Sequence, residues 1–122
     1  MTDAPLTRVD RALLEGLTEH VLGELRTERD RQVAEEGYSL KHDEAHGVWE
    51  LAAAAAAYAW NVAGGLAYRR FPILGANLWP WHHAAWKPKD EHRDLVRAGA
   101  LIVAALERLH RDAIIASDVE AS

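Results

Sequence analysis

The chain has 122 residues, a formal net charge of −5 and no cysteine. Its length fits a single domain over residues 1–122, and the lack of cysteine excludes disulfides and thiolate metal sites. The negative charge disfavours binding of duplex nucleic acid, which depends on neutralising phosphates. The sequence has neither a secretion signal nor an apolar run long enough to span a bilayer, so we expect a cytoplasmic protein without a membrane partner.

The first predicted element is a helix from Leu6 to about Glu36, because apolar residues recur at helical spacing in its first two thirds. These residues are Leu6, Val9, Leu13, Leu14, Leu17, Val21, Leu22 and Leu25. After them the helix becomes polar and offers only Val33 and Ala34 for burial. Gly37 is the residue type expected at a helix end.

A second helix is predicted from about Asp43 to Ala63, with Asp43 or Ser39 as its N-cap and Gly64-Gly65 as its end. Its centre reads "LAAAAAAYAW", which has high helix propensity. The small side chains of this run let a neighbouring helix approach closely.

Three prolines and one glycine, Pro72, Gly75, Pro80 and Pro88, interrupt residues 66–88, which we predict to be an ordered insert rather than a long helix. A third helix is predicted from Asp90 to about Ile115, followed by a frayed tail over residues 117–122. Its apolar face is predicted to comprise Leu95, Ala98, Gly99, Ile102, Ala105, Leu106 and Leu109.

The predicted fold class is all-α, with three long helices in a bundle and a Trp/Pro-rich insert between helices 2 and 3. The small residues of "RAGALIVAALERL" favour close self-packing, so we also predict a homo-oligomer.

The insert contains "ANLWPWHHAAWKP", with three tryptophans in 13 residues. Residues 69–97 carry six basic and three acidic residues, which makes this the one positively charged part of the chain. Stiff indole rings beside cationic side chains suit an aromatic ligand with phosphates, because bases stack on indoles and Lys or Arg binds phosphate. The alternative is that the indoles fill gaps in an alanine-rich core.

A second cluster of polar residues surrounds the predicted turn between helices 1 and 2. The imidazole and carboxylate groups suited to coordinating a divalent metal belong to Glu36, His42, Asp43, His46 and Glu50. This set would support a metal-dependent nucleotide pyrophosphohydrolase-like enzyme. The all-α pyrophosphohydrolases, however, carry a carboxylate where this chain has Ser39 and again where it has Ala53. We therefore predict no cofactor unless this alternative holds.

Several sequence blocks together resemble a family of small, largely uncharacterised proteins of phages and prophages. The blocks are "RDRQVAEEGYSLKHDEAH", "ELAAAAAAYA", "WPW…WKP" and "HRDLVRAGALIVAALERL", within about residues 26–110. A looser similarity connects the chain with the repeat domains of ryanodine receptors. The shared positions are Arg29, Gln32, Glu36, Gly37, Tyr38, His42, Asp43, His46, Trp79, Pro80, Trp81, Trp86, Lys87, Pro88, Arg93, Asp94 and Leu95. The resemblance implies a phage or prophage setting.

The leading hypothesis is a non-enzymatic phage accessory protein that binds a small anionic, nucleotide-like ligand and sequesters a host signal. The predicted ligand-binding residues are Arg29, Gln32, Tyr38, His42, Asp43, Trp79, Trp81, Trp86, Lys87 and Arg93. The aromatic residues would stack on the ligand, Arg29, Lys87 and Arg93 would bind phosphate, and His42 and Asp43 would accept hydrogen bonds. Besides the enzyme described above, the other alternative is a protein-binding inhibitor of a host defence component.

Overall fold

The structure is a computed structural model, which describes residues 5–35, 47–67 and 78–121. In these ranges the chain forms three long helices and no strand. They are α1 (Arg8–Glu35), α2 (Val48–Ala67) and α3 (Glu91–Ala121), and a 3₁₀ turn (His83–Ala85) lies between α2 and α3. The predicted all-α fold, with tryptophans in the insert between the second and third helices, is confirmed.

The start of each helix is explained by local hydrogen bonds. At α1, Thr7 Oγ1 accepts from the Asp10 N–H at 3.0 Å, and the Asp10 carboxylate accepts from the Thr7 N–H at 3.1 Å. This reciprocal pair is a capping box, and the hydrogen bond from Thr7 lowers the pKa of Asp10. At α3, the Asp90 carboxylate caps the helix by accepting from the Arg93 N–H at 2.7 Å.

Two helix boundaries differ from the prediction at α2. The helix begins at Val48, where the Gly47 carbonyl accepts from the N–H groups of Glu50 and Leu51, whereas the predicted caps Ser39 and Asp43 lie outside the described residues. The predicted end at Gly64-Gly65 is wrong, since the helix continues to Ala67. A glycine costs only about 1 kcal/mol inside a helix and therefore does not force an end.

The C-terminal boundary of α3 also differs. The helix extends to Ala121, past the predicted end at Ile115, so residues 117–121 are helical where a frayed tail is expected from the sequence. No proline or glycine interrupts residues 100–121, which allows the hydrogen-bond ladder to continue.

The core lies between α2 and α3, which form the most extensive helix–helix contact among the described residues. The alanine run of α2 lies directly against α3, as its small side chains allow. The buried cluster comprises Leu51, Ala54, Ala55, Tyr58, Ala98, Leu101, Ala104 and Ala105. The small residues of α3 thus pack against the core of the same chain. They are therefore not available as the self-association surface that the sequence predicts.

The contact between α1 and α3 reverses the predicted burial of α1. The apolar first part of α1 is exposed, including Leu13 and Leu17, and the buried residues are Glu28, Arg29 and Gln32 in its polar last part. The polar part is buried because α1 contacts α3 from about Leu25 onward, where the Leu25 side chain covers Gly99. Although these apolar side chains are exposed, none of the described helices has both the length and the hydropathy needed to cross a membrane.

We expect Gly99→Ala to be less stable than Gly23→Ala by about 1 kcal/mol, the low end of the cost of overpacking. Both changes gain up to ~1 kcal/mol of helix propensity. A Cβ at Gly99, however, would lie 2.5 Å from Leu25 Cδ2 and 3.4 Å from its Cγ, so the end of the Leu25 side chain would have to shift, whereas at Gly23 nothing lies within 4 Å. Urea unfolding of both variants measures the difference, and equal free energies of unfolding would contradict this α1–α3 contact.

Candidate functional site

Four aromatic rings form one cluster, which we call the aromatic cluster: Tyr58 of α2 with Trp79, Trp81 and Trp86 of the insert. The Tyr58 ring lies 5.4 Å from Trp79 and 4.8 Å from Trp86, measured between ring centroids. Trp79 also contacts Trp81 and Trp86, at 5.2 Å each. Tyr58 is buried, whereas the three indoles pack against the core and are half-buried. The cluster is therefore anchored on one side and reaches solvent on the other.

The indole N–H groups of Trp79 and Trp81 donate to acceptors that fix these two rings. Trp79 Nε1 donates to the His82 carbonyl at 3.1 Å, and Trp81 Nε1 donates to Glu50 Oε2 at 3.0 Å. Glu50 Oε1 lies 3.5 Å from the Gly47 N–H, so this one carboxylate joins the start of α2 to the insert. These bonds fix the ring orientations, and a stacking ligand would meet a preformed surface.

A short turn follows Trp81. His82 Nδ1 accepts from the Ala84 N–H at 3.1 Å and caps the 3₁₀ turn, and its ring stacks on that of His83 with centroids 4.3 Å apart. Because Nδ1 accepts, the hydrogen bond requires His82 to be unprotonated at this atom. Both histidine side chains are exposed beside the aromatic cluster.

The insert is joined to α3 by two residues, Asp94 and Arg97. Buried Asp94 accepts from the Lys89 N–H at 2.8 Å and from Asn61 Nδ2 of α2 at 3.3 Å. The Arg97 guanidinium lies 5.7 Å from the Tyr58 ring centroid and donates to the Lys87 carbonyl. Arg97 is thus a cation–π partner within the subunit.

A separate polar cluster lies between α1 and α3, with the fully buried side chain of Glu28 at its centre. Glu28 accepts from Arg31 at 2.6 and 2.8 Å, from Gln32 Nε2 at 3.2 Å and from Arg93 of α3. Burial acts to raise the pKa of Glu28, but the hydrogen bond and charge of Arg31, the charge of Arg93 and the Gln32 amide outweigh it, so the pKa is lowered. Glu28 is therefore an ionised structural centre.

The predicted site residues divide into three groups. Trp79, Trp81 and Trp86 come together in the aromatic cluster, and Lys87 follows it with an exposed side chain. Arg29, Gln32 and Arg93 belong instead to the α1–α3 contact. The third group, Tyr38, His42 and Asp43 with the metal candidates Glu36 and His46, lies outside the described residues.

The two predicted phosphate-binding arginines already have carboxylate partners. Arg29, with a largely buried side chain, lies 3.3 Å from Glu107 of α3, and Arg93 pairs with Glu28. A phosphate would have to displace these carboxylates. Among the described residues, Lys87 and Lys89 are exposed and follow Trp86 in the chain.

Of the metal candidates, only Glu50 is among the described residues, and its oxygens face Trp81 and the Gly47 backbone. The described part of the chain contains no group of three or more histidines and carboxylates able to hold a metal ion.

The predicted site omits several residues of these clusters, among them Tyr58, Asp94 and Arg97. The position of Tyr58 has a sequence signal, because Leu51, Ala54, Ala55 and Tyr58 follow the i, i+3, i+4, i+7 spacing of one helix face. The pairing of Glu28 with Arg93 has no local signal, since 65 residues separate them.

No protein-family model, curated protein or solved structure matches this chain. The resemblance to phage proteins and to ryanodine-receptor repeats therefore stays a prediction from sequence blocks. The described residues present a half-buried aromatic surface, and two exposed lysines follow its last ring, Trp86, in the chain.

Proposed function

We propose that this protein is a binding protein that takes a small anionic, nucleotide-like ligand on the exposed side of the aromatic cluster. The observation that carries the proposal is the half-buried state of Trp79, Trp81 and Trp86. One side of the cluster is supported by buried Tyr58, so the rings need no reordering to accept a base. Stacking of a base on an aromatic side chain contributes about 1–3 kcal/mol.

The charged part of the ligand is assigned to Lys87 and Lys89, because both are exposed and adjoin Trp86 in the chain. This assignment leaves Arg29 and Arg93 to their carboxylates. The exposed histidines His82 and His83 offer further hydrogen-bonding groups beside the rings. In the phage or prophage setting that the sequence resemblance implies, such a protein would sequester a host signal in the cytoplasm.

The test is a titration with ATP and with a cyclic dinucleotide, followed by tryptophan fluorescence and by thermal unfolding. We expect at least one of them to quench the fluorescence and to raise the melting temperature, since a ligand at 100 times its Kd stabilises by about 2.7 kcal/mol. Lys87→Gln/Lys89→Gln should weaken binding about tenfold and reduce its salt dependence, because phosphate contacts by exposed lysines are screened by salt.

The matched control is Arg8→Gln/Arg11→Gln, which removes two exposed positive charges at the start of α1. It should leave the affinity within twofold. The proposal fails if neither nucleotide changes the fluorescence or the melting temperature, or if both double variants weaken binding equally.

A further inference from the structure

Two exposed apolar surfaces lie away from the aromatic cluster. The first, which we call the α1 stripe, comprises Val9, Leu13, Leu14, Leu17 and Val21, each 47–77% exposed. The second, the α3 seam, comprises Leu95, Ile102, Leu106 and Leu109, each about half exposed. Both follow the three- and four-residue spacing by which one helix presents an apolar face to another. Neither is covered within the described part of the subunit.

The α3 seam is distinct from the faces that α3 already uses. Its buried alanines, among them Ala98 and Ala105, pack with α2, and Gly99 receives Leu25 of α1. The seam occupies the remaining side of the helix, which is apolar although exposed. A third helix packed along it would complete the surroundings of α3.

The exposed area matches the need of a stable pair of subunits. The nine side chains together expose the area of about five whole residues, which is on the order of 300–600 Å² of apolar surface. A standard interface buries about 800 Å² per partner, of which about 450–520 Å² is apolar. One copy of this chain therefore presents about the apolar area that a dimer interface requires.

We propose that a second copy of this chain covers the α1 stripe and the α3 seam. Each surface spans roughly 20 Å along its helix, at 1.5 Å per residue. Because both lie on the same chain and have similar length, a symmetric pair satisfies them reciprocally, with the α1 stripe of one copy against the α3 seam of the other. This inference is independent of the proposed ligand, since it uses no residue of the aromatic cluster.

The first test is the mass in solution, measured by light scattering after size exclusion from 1 to 100 μM, together with the melting temperature at each concentration. We expect twice the monomer mass and a melting temperature that rises with protein concentration. Leu13→Glu/Leu17→Glu should give the monomer mass at every concentration. Ala12→Glu is the control, because Ala12 is exposed on the same helix and lies off the stripe. It should keep the dimer mass.

A second measurement uses single-cysteine variants, so that its result does not depend on whether a charged variant folds. The natural sequence has no cysteine, so single-cysteine variants report one position each. Leu13→Cys and Leu109→Cys should react with a maleimide more slowly as protein concentration rises, whereas Ala12→Cys should react at a constant rate. A mixture of the first two variants should form the mixed disulfide under oxidation. A wild-type monomer at all concentrations, reaction rates independent of concentration, or disulfides only between identical variants would overturn the proposal.

Discussion

Glu28→Ala should destabilise the protein by about 3 kcal/mol and lower its melting temperature by about 10 °C. The side chain of Glu28 is fully buried and receives hydrogen bonds from Arg31, Gln32 and Arg93. Removing the carboxylate leaves two guanidinium groups without their common counter-charge. Loss of one member of a buried ion pair costs about 3–5 kcal/mol. The lower end applies because the side chains of Arg31 and Arg93 keep 24% and 33% of their exposure to water.

Glu35→Ala is the matched control for Glu28→Ala. Glu35 also pairs with Arg31, at 3.1 Å, but its side chain is 67% exposed, so water replaces the lost partner. Exposed ion pairs contribute about 0–1 kcal/mol, and we expect a change below about 0.5 kcal/mol. Chemical unfolding monitored by circular dichroism measures both. Equal losses for the two variants would contradict a special role for the buried carboxylate.

The pH dependence of unfolding gives an independent readout of the same group. Because the pKa of Glu28 is lowered from 4.5 on folding, its stabilising contribution is fully present above pH 4.5. The contribution is lost as the pH falls through the lowered pKa. The free-energy difference between wild type and Glu28→Ala should therefore be constant from pH 6 to 7 and shrink in stronger acid.

The helices could be predicted from the sequence because periodicity and capping are local properties. The distribution of burial could not, and α1 shows why. Its apolar spacing indicates a face that must be covered, but the spacing does not say by what. Within the subunit α3 meets the polar end of α1, where Glu28 and Arg93 pair across 65 positions of sequence. An ion pair between residues so far apart produces no periodic pattern in the sequence from which it could be predicted.

The candidate site could be predicted in part for the same physical reason. The prolines and the density of indoles in one segment indicate an ordered aromatic patch, and Trp79, Trp81 and Trp86 do cluster. The partners of the arginines on α3 could not be predicted from the sequence. Arg93 and Arg97 lie four residues apart on the same side of α3. They nevertheless have different partners, because Arg93 pairs with Glu28 of α1 and Arg97 lies over the Tyr58 ring of α2.

The aromatic cluster provides the second large expected effect. Tyr58→Ala should destabilise the protein by about 3–4 kcal/mol, because a buried aromatic residue truncated to alanine loses both its transfer free energy and its packing. Tyr58 is 5% exposed and contacts Trp79, Trp86 and the Arg97 guanidinium. The emission of the insert tryptophans should shift to longer wavelength as water enters the vacated site.

Trp49→Ala is the control on the same helix. Its side chain is 70% exposed, so the free energy of unfolding should change by less than about 1 kcal/mol despite the larger ring removed. A further variant, Tyr58→Leu, separates the two roles considered for the indoles, which are closing the core and binding a ligand. If the rings serve only to close the core, no nucleotide should bind to the wild type, and Tyr58→Leu should recover much of the stability that Tyr58→Ala loses, because leucine refills most of the vacated volume. If the rings form a ligand surface, Tyr58→Leu should fold and yet bind the nucleotide more weakly, because Trp79 and Trp86 lose the ring that orients them. Unchanged affinity in this folded variant would contradict a preformed stacking surface.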